Sequence, residues 1–520
     1  MRGDHMSGTM GWILFAFVLY LGLMIVVGAV CAKENSNSED YFLGGRNLGA
    51  FVAALSAQAS DMSGWLLMGL PGGLYAMGTG QCWIAVGLFI GTVCNWLFIS
   101  KRLRRYTIRA NNSLTLPMFF ENRFKDEKKV LLFISSVTIV IFFLVYTASS
   151  LAAGGKLFHS IFGIDYKLAL TIGAAVILVY TFMGGFWAVC ATDFIQGTLM
   201  LIALLAVPII AVCMLGGDIE GALAITGVDT VQYLNPLTSG DGGQFSFIDI
   251  LSQLAWGLGY MGMPHILVRF MAVKNEKELD KSKVIAIVWV AISLVFACII
   301  GVVGRAYLYP VLLEGGAEEN VFIEMIIKMF TEDIQLPFVG GVFLCGVLAA
   351  IMSTADSQLL VTASSVAEDI YQVIVGQKGK KKDDKKVLLV SRITVVIVAA
   401  LAYVIALNPN NSIMGLVSNA WAGLGAAFGP LVVLALFWKR TNLQGAVAGI
   451  ASGALVVIIW DYIPLVGGQT LGNVTGLYSL LVGFIISLLC IVVVSLCTKA
   501  PSEDILKEFE DVKNGNVAGI

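Results

Sequence analysis

Apolar residues run through most of the chain in long stretches separated by short charged or glycine- and proline-rich breaks. About 20 apolar residues suffice for one helix to cross a bilayer, and a spanning helix satisfies its own backbone hydrogen bonds in lipid. The pattern therefore predicts an all-α integral membrane protein with about thirteen transmembrane helices. The predicted spans, numbered 1 to 13, have cores at 9–31, 49–77, 81–100, 129–154, 165–183, 187–214, 246–271, 283–309, 336–372, 388–407, 413–438, 443–463 and 475–498.

Composition supports the same class. The chain is 58% hydrophobic and 13% charged, whereas a soluble domain has roughly 25% charged residues. The net charge of −2 gives no reason to expect nucleic-acid binding. The nine cysteines have no paired spacing, so neither a disulfide framework nor a zinc site is expected. Residues 1–6 do not resemble a signal sequence, and the first apolar run is expected to remain as a helix.

Positive charge is concentrated in alternate loops, which the positive-inside rule assigns to the cytoplasm. The basic loops contain Lys101, Arg102, Arg104, Arg105, Arg109, Arg123, Lys125, Lys128 and Lys129, then Lys274, Lys277, Lys281 and Lys283, and then the run from Lys378 to Lys386. Residues 215–245 contain Asp218, Glu220, Asp229 and Asp241 without any Lys or Arg. This places the amino terminus outside and the carboxyl terminus inside. The basic residues are expected to be solvated, with anionic-lipid or protein binding as the alternative.

Two spans are interrupted by polar or helix-weakening residues. Span 2 breaks over 56–64 (SAQASDMSG), which puts Asp61 near mid-membrane at a cost of at least about 2.5 kcal/mol, so its carboxylate should face a partner or a watery cavity. Span 7 carries WGLGYMGMPH, where Pro264 and the glycines allow unwinding. Unwound backbone at membrane depth lines cavities, and breaks five helices apart predict two inverted repeats around a binding site.

A third element lies on span 9. Ala350, Ser353 and Thr354 are spaced i, i+3 and i+4, so a carbonyl and two hydroxyls share one helix face. Hard cations prefer such oxygen ligands. Hydroxyls in membrane helices also bond to their own helix or to a neighbour, so a structural role stays open.

Three further residues have two readings each. Asp193 in span 6 serves either helix capping or gating, or cation passage. Tyr146 in span 4 is either a lipid-facing or interface aromatic, or a solute contact. His265, beside Pro264, could move protons, but a hydrogen bond within a helix interface explains it more simply. The chain has no phosphate-binding glycine loop, metal-spaced His/Cys cluster or nucleophile triad, so neither an enzyme nor a bound cofactor is predicted.

Several segments resemble the sodium/solute symporter family, over a match from about Gly11 to Pro501. They are YFLGGRNL at 41–48, LSAQASDMSGWLLMGLPG at 55–72, WGLGYMGMPHILVRFM at 256–271, residues 348–371, and LVSNAWAGLGAAFGP at 416–430. The resemblance implies one membrane domain with a leucine-transporter-type 5+5 inverted repeat. Its parts would be a first helix and cytoplasmic loop at 9–48, repeats at 49–214 and 246–438, two peripheral helices at 443–498, and a cytoplasmic tail at 499–520.

The resemblance also implies site residues. Sodium would be held by the carbonyls of Ala59 and Met62 with Ala350, Ser353 and Thr354, while Asp61 and Asp193 would serve cation coupling and Arg46 gating. The solute pocket would comprise Ser63, Gly64, Tyr146, Trp256, Tyr260 and Pro264. Trp256, Tyr260 and Pro264 would share one face if the segment were helical. Gln58 departs from the small residue expected there, and it could narrow the cavity or change the cation preference.

The implied activity is sodium-coupled symport of L-proline into the cell by alternating access. The expected ligands are sodium ions and L-proline, and the expected location is a bacterial inner membrane, without nucleic acid or an obligate protein partner. Uptake of another small amino or organic acid is the nearest alternative. A solute sensor on a transporter fold is another, although the short tail leaves no room for a signalling domain.

Overall fold

The computed structural model describes residues 2–31, 38–183, 185–240, 242–371 and 384–517. Asp241 and most of the basic run from Lys378 to Lys386 lie outside the described residues. The predictions made for them therefore stay predictions.

Each predicted span has a helical counterpart among the described residues, and nine of these helices are close to their predicted bounds. They are Arg2–Cys31, Tyr166–Met183, Phe186–Met214, Glu276–Leu308, Pro337–Ser364 with a π-helical end Ser365–Ile370, Asp384–Ala406, Ile413–Phe437, Leu443–Tyr462 and Ser479–Cys497. Spans 3 and 4 run further than predicted. Span 4 is Val130–Phe162, and span 3 is Cys82–Cys94, π-helical Asn95–Ile99 and Ser100–Arg109.

Ten stretches in the described ranges are long and apolar enough to cross a membrane by themselves. One of them, Trp65–Arg109, is divided at Gly78, whose φ of 77° suits glycine and interrupts the helix between spans 2 and 3. Span 5 contributes the shorter apolar helix Tyr166–Val179. Span 7 and the first half of span 2 are pieces too short to count separately, as the breaks in these spans predicted.

The break in span 2 is shorter than expected. The helix continues through Ala50–Asp61 and stops only at Met62, before π-helical Trp65–Gly69 and α-helical Leu70–Met77. The break predicted over 56–64 therefore lies within those bounds, but it is confined to Met62 and Ser63. The hydroxyls of Ser56 and Ser60 bond to spans 6 and 9 rather than competing for their own backbone, so the helix is preserved there.

Span 7 is broken as predicted. It consists of Phe247–Leu254, a 3₁₀ helix at Ala255–Gly262 and the helix Pro264–Ala272, with Met263 extended between the last two. Glycines allow other backbones to approach this segment. A Cβ added to Gly262 would lie 2.7 Å from the carbonyl oxygen of Leu424 and the backbone nitrogen of Gly429 in span 11.

Short elements connect and cover the spans. They are Ser38–Leu43, Gly44–Arg46, Leu116–Phe124, Ile219–Ala224, Thr230–Tyr233, Ala317–Asn320, Val321–Ile327, Lys328–Asp333, Leu471–Thr475 and Glu503–Asn514, with an antiparallel pair of strands, Pro464–Val466 and Gln469–Thr470. The last helix lies in the acidic tail.

Two basic residues that were predicted to lie in the loop between spans 3 and 4 are buried, which corrects the expectation that this charge is solvated. Arg104 is 1% exposed and donates to the carbonyls of Val273 and Lys274 at 2.8 and 2.7 Å. Arg123 is fully buried, with its guanidinium 5.0 Å from the ring centre of Tyr106. Both guanidiniums pack against protein groups, which a positive-inside argument does not anticipate.

Candidate cation and solute site

The two helix breaks meet through Asp61. The Tyr260 hydroxyl of span 7 donates to Asp61 Oδ2 at 2.5 Å, and the carboxylate is fully buried. The Trp65 indole donates to the Asp61 carbonyl at 2.8 Å, which holds the backbone at the break. Asp61 Oδ1 has no hydrogen-bond partner within the described residues. The expectation that this carboxylate faces a partner holds, and one oxygen remains available.

Four of the five residues predicted to bind the cation lie together. The Ser353 and Thr354 hydroxyls donate to the Ala59 carbonyl at 2.8 and 3.3 Å. Ser353 also donates to the Ala350 carbonyl at 3.2 Å. Met62 lies at the break itself and is fully buried. The result is a buried set of neutral oxygens between spans 2 and 9, which suits a hard cation because it adds no immobilising charge.

Asp193 lies deep in the bundle and does not cap its helix, which begins at Phe186. Its Oδ2 accepts from the hydroxyls of Ser56 at 2.7 Å and Ser60 at 3.1 Å. The guanidinium of Arg269 lies 3.3 Å away from the same oxygen. Of the two readings for Asp193, helix capping is therefore wrong.

Arg269 and Ser357 were missed by the sequence reasoning. Arg269 donates to the Ser357 hydroxyl and to the His265 carbonyl, both at 2.6 Å. The Ser60 and Ser357 hydroxyls are 2.9 Å apart, so this network joins spans 2, 6, 7 and 9. Two signals were available: an arginine within the apolar run HILVRFM, and a serine four residues after Ser353.

An aromatic group lines the other side of the span 7 break. Trp256 stacks on Tyr478, with ring centres 5.2 Å apart, and Tyr260 packs edge-on against Trp421 at 5.1 Å. The Trp421 indole donates to the Trp256 carbonyl at 2.8 Å. Trp421 was also missed, although it lies in the quoted LVSNAWAGLGAAFGP segment.

Pro264 does not share a helical face with Trp256 and Tyr260. The preceding segment is 3₁₀ and is broken at Met263, so α-helical spacing does not apply. Pro264 instead lines a small cavity of about 20 Å³ together with Thr115 and Ile139. The prediction of one common face is therefore wrong for Pro264.

Ser63, Gly64 and Tyr146 lie where spans 2 and 4 approach each other. A Cβ on Gly64 would be 2.9 Å from the Cβ of Ala153 in span 4. Ser63 is 1% exposed, and its hydroxyl oxygen accepts from the Trp65 backbone at 3.4 Å. Tyr146 is fully buried. It is therefore not an interface or lipid-facing aromatic, which corrects that reading.

His265 departs from the expectation of a hydrogen-bonded interface histidine. It is fully buried, and neither ring nitrogen has a hydrogen-bond partner among the residues that the structure describes. Its ring lies edge-on to Phe143 and Tyr146, with centres 5.4 and 6.2 Å apart.

Arg46 ties together the ends of three elements. Its guanidinium donates to the Asn112 side chain and the Ser113 carbonyl, both at 2.8 Å, to the Thr107 hydroxyl at 3.2 Å and to the Met271 carbonyl at 2.7 Å. Arg46 itself has a φ of 51°, an unfavourable conformation for a non-glycine residue. These four hydrogen bonds hold the segment before span 2 against the ends of spans 3 and 7.

Comparison with known proteins decides the family. Residues 41–453 match the sequence profile of the sodium:solute symporter family. The chain belongs to this family. A sodium/proline symporter from Staphylococcus aureus is 43% identical over 505 residues, which cover 95% of this chain and 94% of the relative. The symporter of S. aureus strain NCTC 8325 / PS 47 is 44% identical over 506 residues, with the same coverage of both chains.

Solved structures agree on the fold. A sodium-coupled sialic acid symporter in a substrate-bound, outward-open state superposes with a TM-score of 0.75 at 19% identity, covering 95% of this chain and 99% of that one. A nucleobase-cation-symport-1 family transporter in a closed conformation gives a TM-score of 0.51 at 16% identity, covering 91% and 98%. The predicted family and leucine-transporter-type fold are thus confirmed. Membership of this family makes the chain a multi-pass membrane transporter.

Proposed function

We propose that this protein couples the entry of sodium ions to the uptake of L-proline by alternating access. The observation that carries the proposal is the convergence of the Ser353 and Thr354 hydroxyls on the Ala59 carbonyl, directly before the break in span 2. The choice of solute rests on the S. aureus relative, which carries the name sodium/proline symporter and matches along nearly the whole chain.

The cation would bind to Ala59, Met62, Ala350, Ser353 and Thr354, and the solute would bind on the other side of the same break. Ser63, Gly64, Tyr146, Trp256, Tyr260 and Pro264 are its proposed contacts. Because Asp61 follows two residues after Ala59 and accepts from Tyr260, a cation that fixes span 2 also fixes a wall of the solute pocket. By linkage, proline then raises the affinity for sodium by the same factor.

The remaining polar residues suit a route toward the cytoplasm. Asp193 accepts hydrogen bonds from Ser56 and Ser60, which lie on the same helix as Ala59. Its carboxylate would be the next oxygen group that the ion meets on its way out. Arg46 closes the ends of spans 3 and 7 and serves as a gate whose hydrogen bonds must break for release. In this topology the amino terminus is outside, the carboxyl terminus is cytoplasmic, and the membrane is a bacterial inner membrane.

The proposed architecture follows the same division. Inverted repeats at 49–214 and 246–438 rock relative to each other, while the helix and loop at 9–48, the peripheral helices at 443–498 and the tail at 499–520 flank them. The function requires no catalytic group and no cofactor. Sodium is a co-transported ligand.

Uptake into proteoliposomes tests the proposal. Radiolabelled L-proline is supplied with an inward sodium gradient, with a potassium gradient as the control, and unlabelled amino and organic acids are added as competitors. Sodium-dependent accumulation above equilibrium supports symport of proline. Binding without accumulation would indicate a sensor, and failure to bind or accumulate proline would refute proline as the solute.

A further inference from the structure

His265 is a polar side chain buried without a protein hydrogen bond. Its exposure is 0%, and both Nδ1 and Nε2 lack hydrogen-bond partners within the described residues. A buried donor or acceptor left unpaired costs about 1–3 kcal/mol. A fold that keeps such a group generally uses it, because buried polar groups in native proteins are otherwise paired.

The position of His265 is equally specific. It is the second residue of the helix Pro264–Ala272, which starts directly after the extended residue Met263. Pro264 has no backbone N–H, and the amides of Ile266 and Leu267 already donate to the Met263 carbonyl at 3.1 and 3.0 Å, so it is the helix dipole that favours negative charge at this end. An imidazole with free nitrogens therefore lies at a helix end that favours an anion.

The surroundings of the ring connect it to the solute pocket. Pro264, the adjoining residue, and Tyr146, whose ring lies edge-on to the imidazole at 6.2 Å, are both proposed solute contacts. The Tyr146 hydroxyl also lacks a hydrogen-bond partner among the described residues and is fully buried. Two unpaired polar groups from spans 4 and 7 thus lie beside each other next to the break.

We propose that His265 binds the carboxylate of the transported amino acid through an N–H of its imidazole, at the amino-terminal end of the second half of span 7. This inference rests on the proposed function, and it adds a residue and an orientation to it. A ring nitrogen donates to the carboxylate, while the dipole of the helix Pro264–Ala272 stabilises the negative charge. The pyrrolidine ring then points toward the aromatic group formed by Trp256, Tyr260 and Trp421.

The side chain of Arg269 does not supply this contact. Its guanidinium is already committed to Asp193, Ser357, Ser56 and the His265 carbonyl. Arg269 holds the backbone of His265 one helical turn away, so it is a positioning residue for the imidazole.

A comparison of two ligands tests the orientation. Dissociation constants for L-proline and for L-prolinol, which replaces the carboxylate by a hydroxymethyl group, are measured at saturating sodium on purified wild type and on His265→Phe. Loss of a hydrogen bond to a charged group should weaken L-proline binding roughly ten- to hundredfold. L-prolinol binding should change by less than about threefold, because L-prolinol has no carboxylate for the imidazole to bind.

Two further variants serve as controls for this comparison. His265→Asn keeps a side-chain N–H, so it should retain part of the preference for proline over prolinol, and it decides the question if His265→Phe does not fold. His159→Phe alters an exposed histidine in span 4 and should leave both constants unchanged. Equal weakening of both ligands, or unchanged proline binding in His265→Phe and His265→Asn, would overturn the assignment and leave a water-bridged structural histidine. Wild-type protein that binds no proline would instead refute the proposed function.

Discussion

Arg269 and Asp193 face each other inside the helix bundle at 3.3 Å, with side chains 1% and 0% exposed. Neither charge is accessible to water, and both are supported by serine hydroxyls from spans 2 and 9. Removing one partner of such a pair leaves an uncompensated buried charge and costs about 3–5 kcal/mol, whereas removing both costs much less. The pair therefore fixes the relative positions of spans 2, 6, 7 and 9 more than it adds to the net stability of the fold.

A double-mutant cycle measures this pair. Asp193→Asn and Arg269→Gln should each lower the free energy of unfolding by about 3–5 kcal/mol, and the double variant should recover at least half of the summed loss. Reversible unfolding in SDS-containing mixed micelles provides the values. Strictly additive losses would show that the two side chains stabilise the bundle independently.

The helical elements were largely predictable from the sequence, whereas the contacts between them were not. Apolar run lengths predicted the spans, and Pro264 with its glycines predicted the break in span 7, because these signals are local. The break in span 2 was predicted over 56–64, but the helix continues to Asp61 because Ser56 and Ser60 bond to Asp193, more than 130 positions away. Trp421 was missed for the same reason: its contact with Tyr260 is set by packing of span 11 on span 7.

Close packing between spans 7 and 11 gives a prediction for a single methyl group. Gly262→Ala would place a Cβ 2.7 Å from two backbone atoms of span 11, so it should separate the helices and lower the yield of folded, monodisperse protein severalfold. Gly73→Ala is the matched control in helix Leu70–Met77, where the nearest atom would be 3.8 Å away. Size-exclusion profiles of the two variants give the comparison, and equal behaviour would contradict close packing at Gly262.

At the scale of the whole molecule, the acidic tail contacts the basic end of span 3 and the helix Leu116–Phe124 that follows it. Glu508 pairs with Lys125 at 2.6 Å and Asp511 with Arg109 at 3.2 Å. Phe509 is buried against Tyr106 and the Arg123 guanidinium. Salt screens the exposed ion pairs, but it does not remove the aromatic contact.

Phe509→Ala should therefore release helix Glu503–Asn514 more than added salt does. Burying a phenylalanine side chain contributes about 1.5–3 kcal/mol, so backbone amides of 503–514 should exchange at least tenfold faster in the variant. Hydrogen exchange followed by mass spectrometry measures this. Lys507→Ala, at an exposed position of the same helix, is the control and should match wild type.

The sodium dependence of proline uptake tests the central claim most directly, because it links the oxygens between spans 2 and 9 to transport. Thr354→Ala removes one hydroxyl from the Ala59 carbonyl, whereas Thr362→Ala removes a hydroxyl that donates only to its own helix, at Gln358. Half-maximal uptake should require at least tenfold more sodium in Thr354→Ala and an unchanged concentration in Thr362→Ala, a shift of about 1.4 kcal/mol or more in apparent binding. Wild-type sodium dependence in both Thr354→Ala and Asp61→Asn would contradict the account.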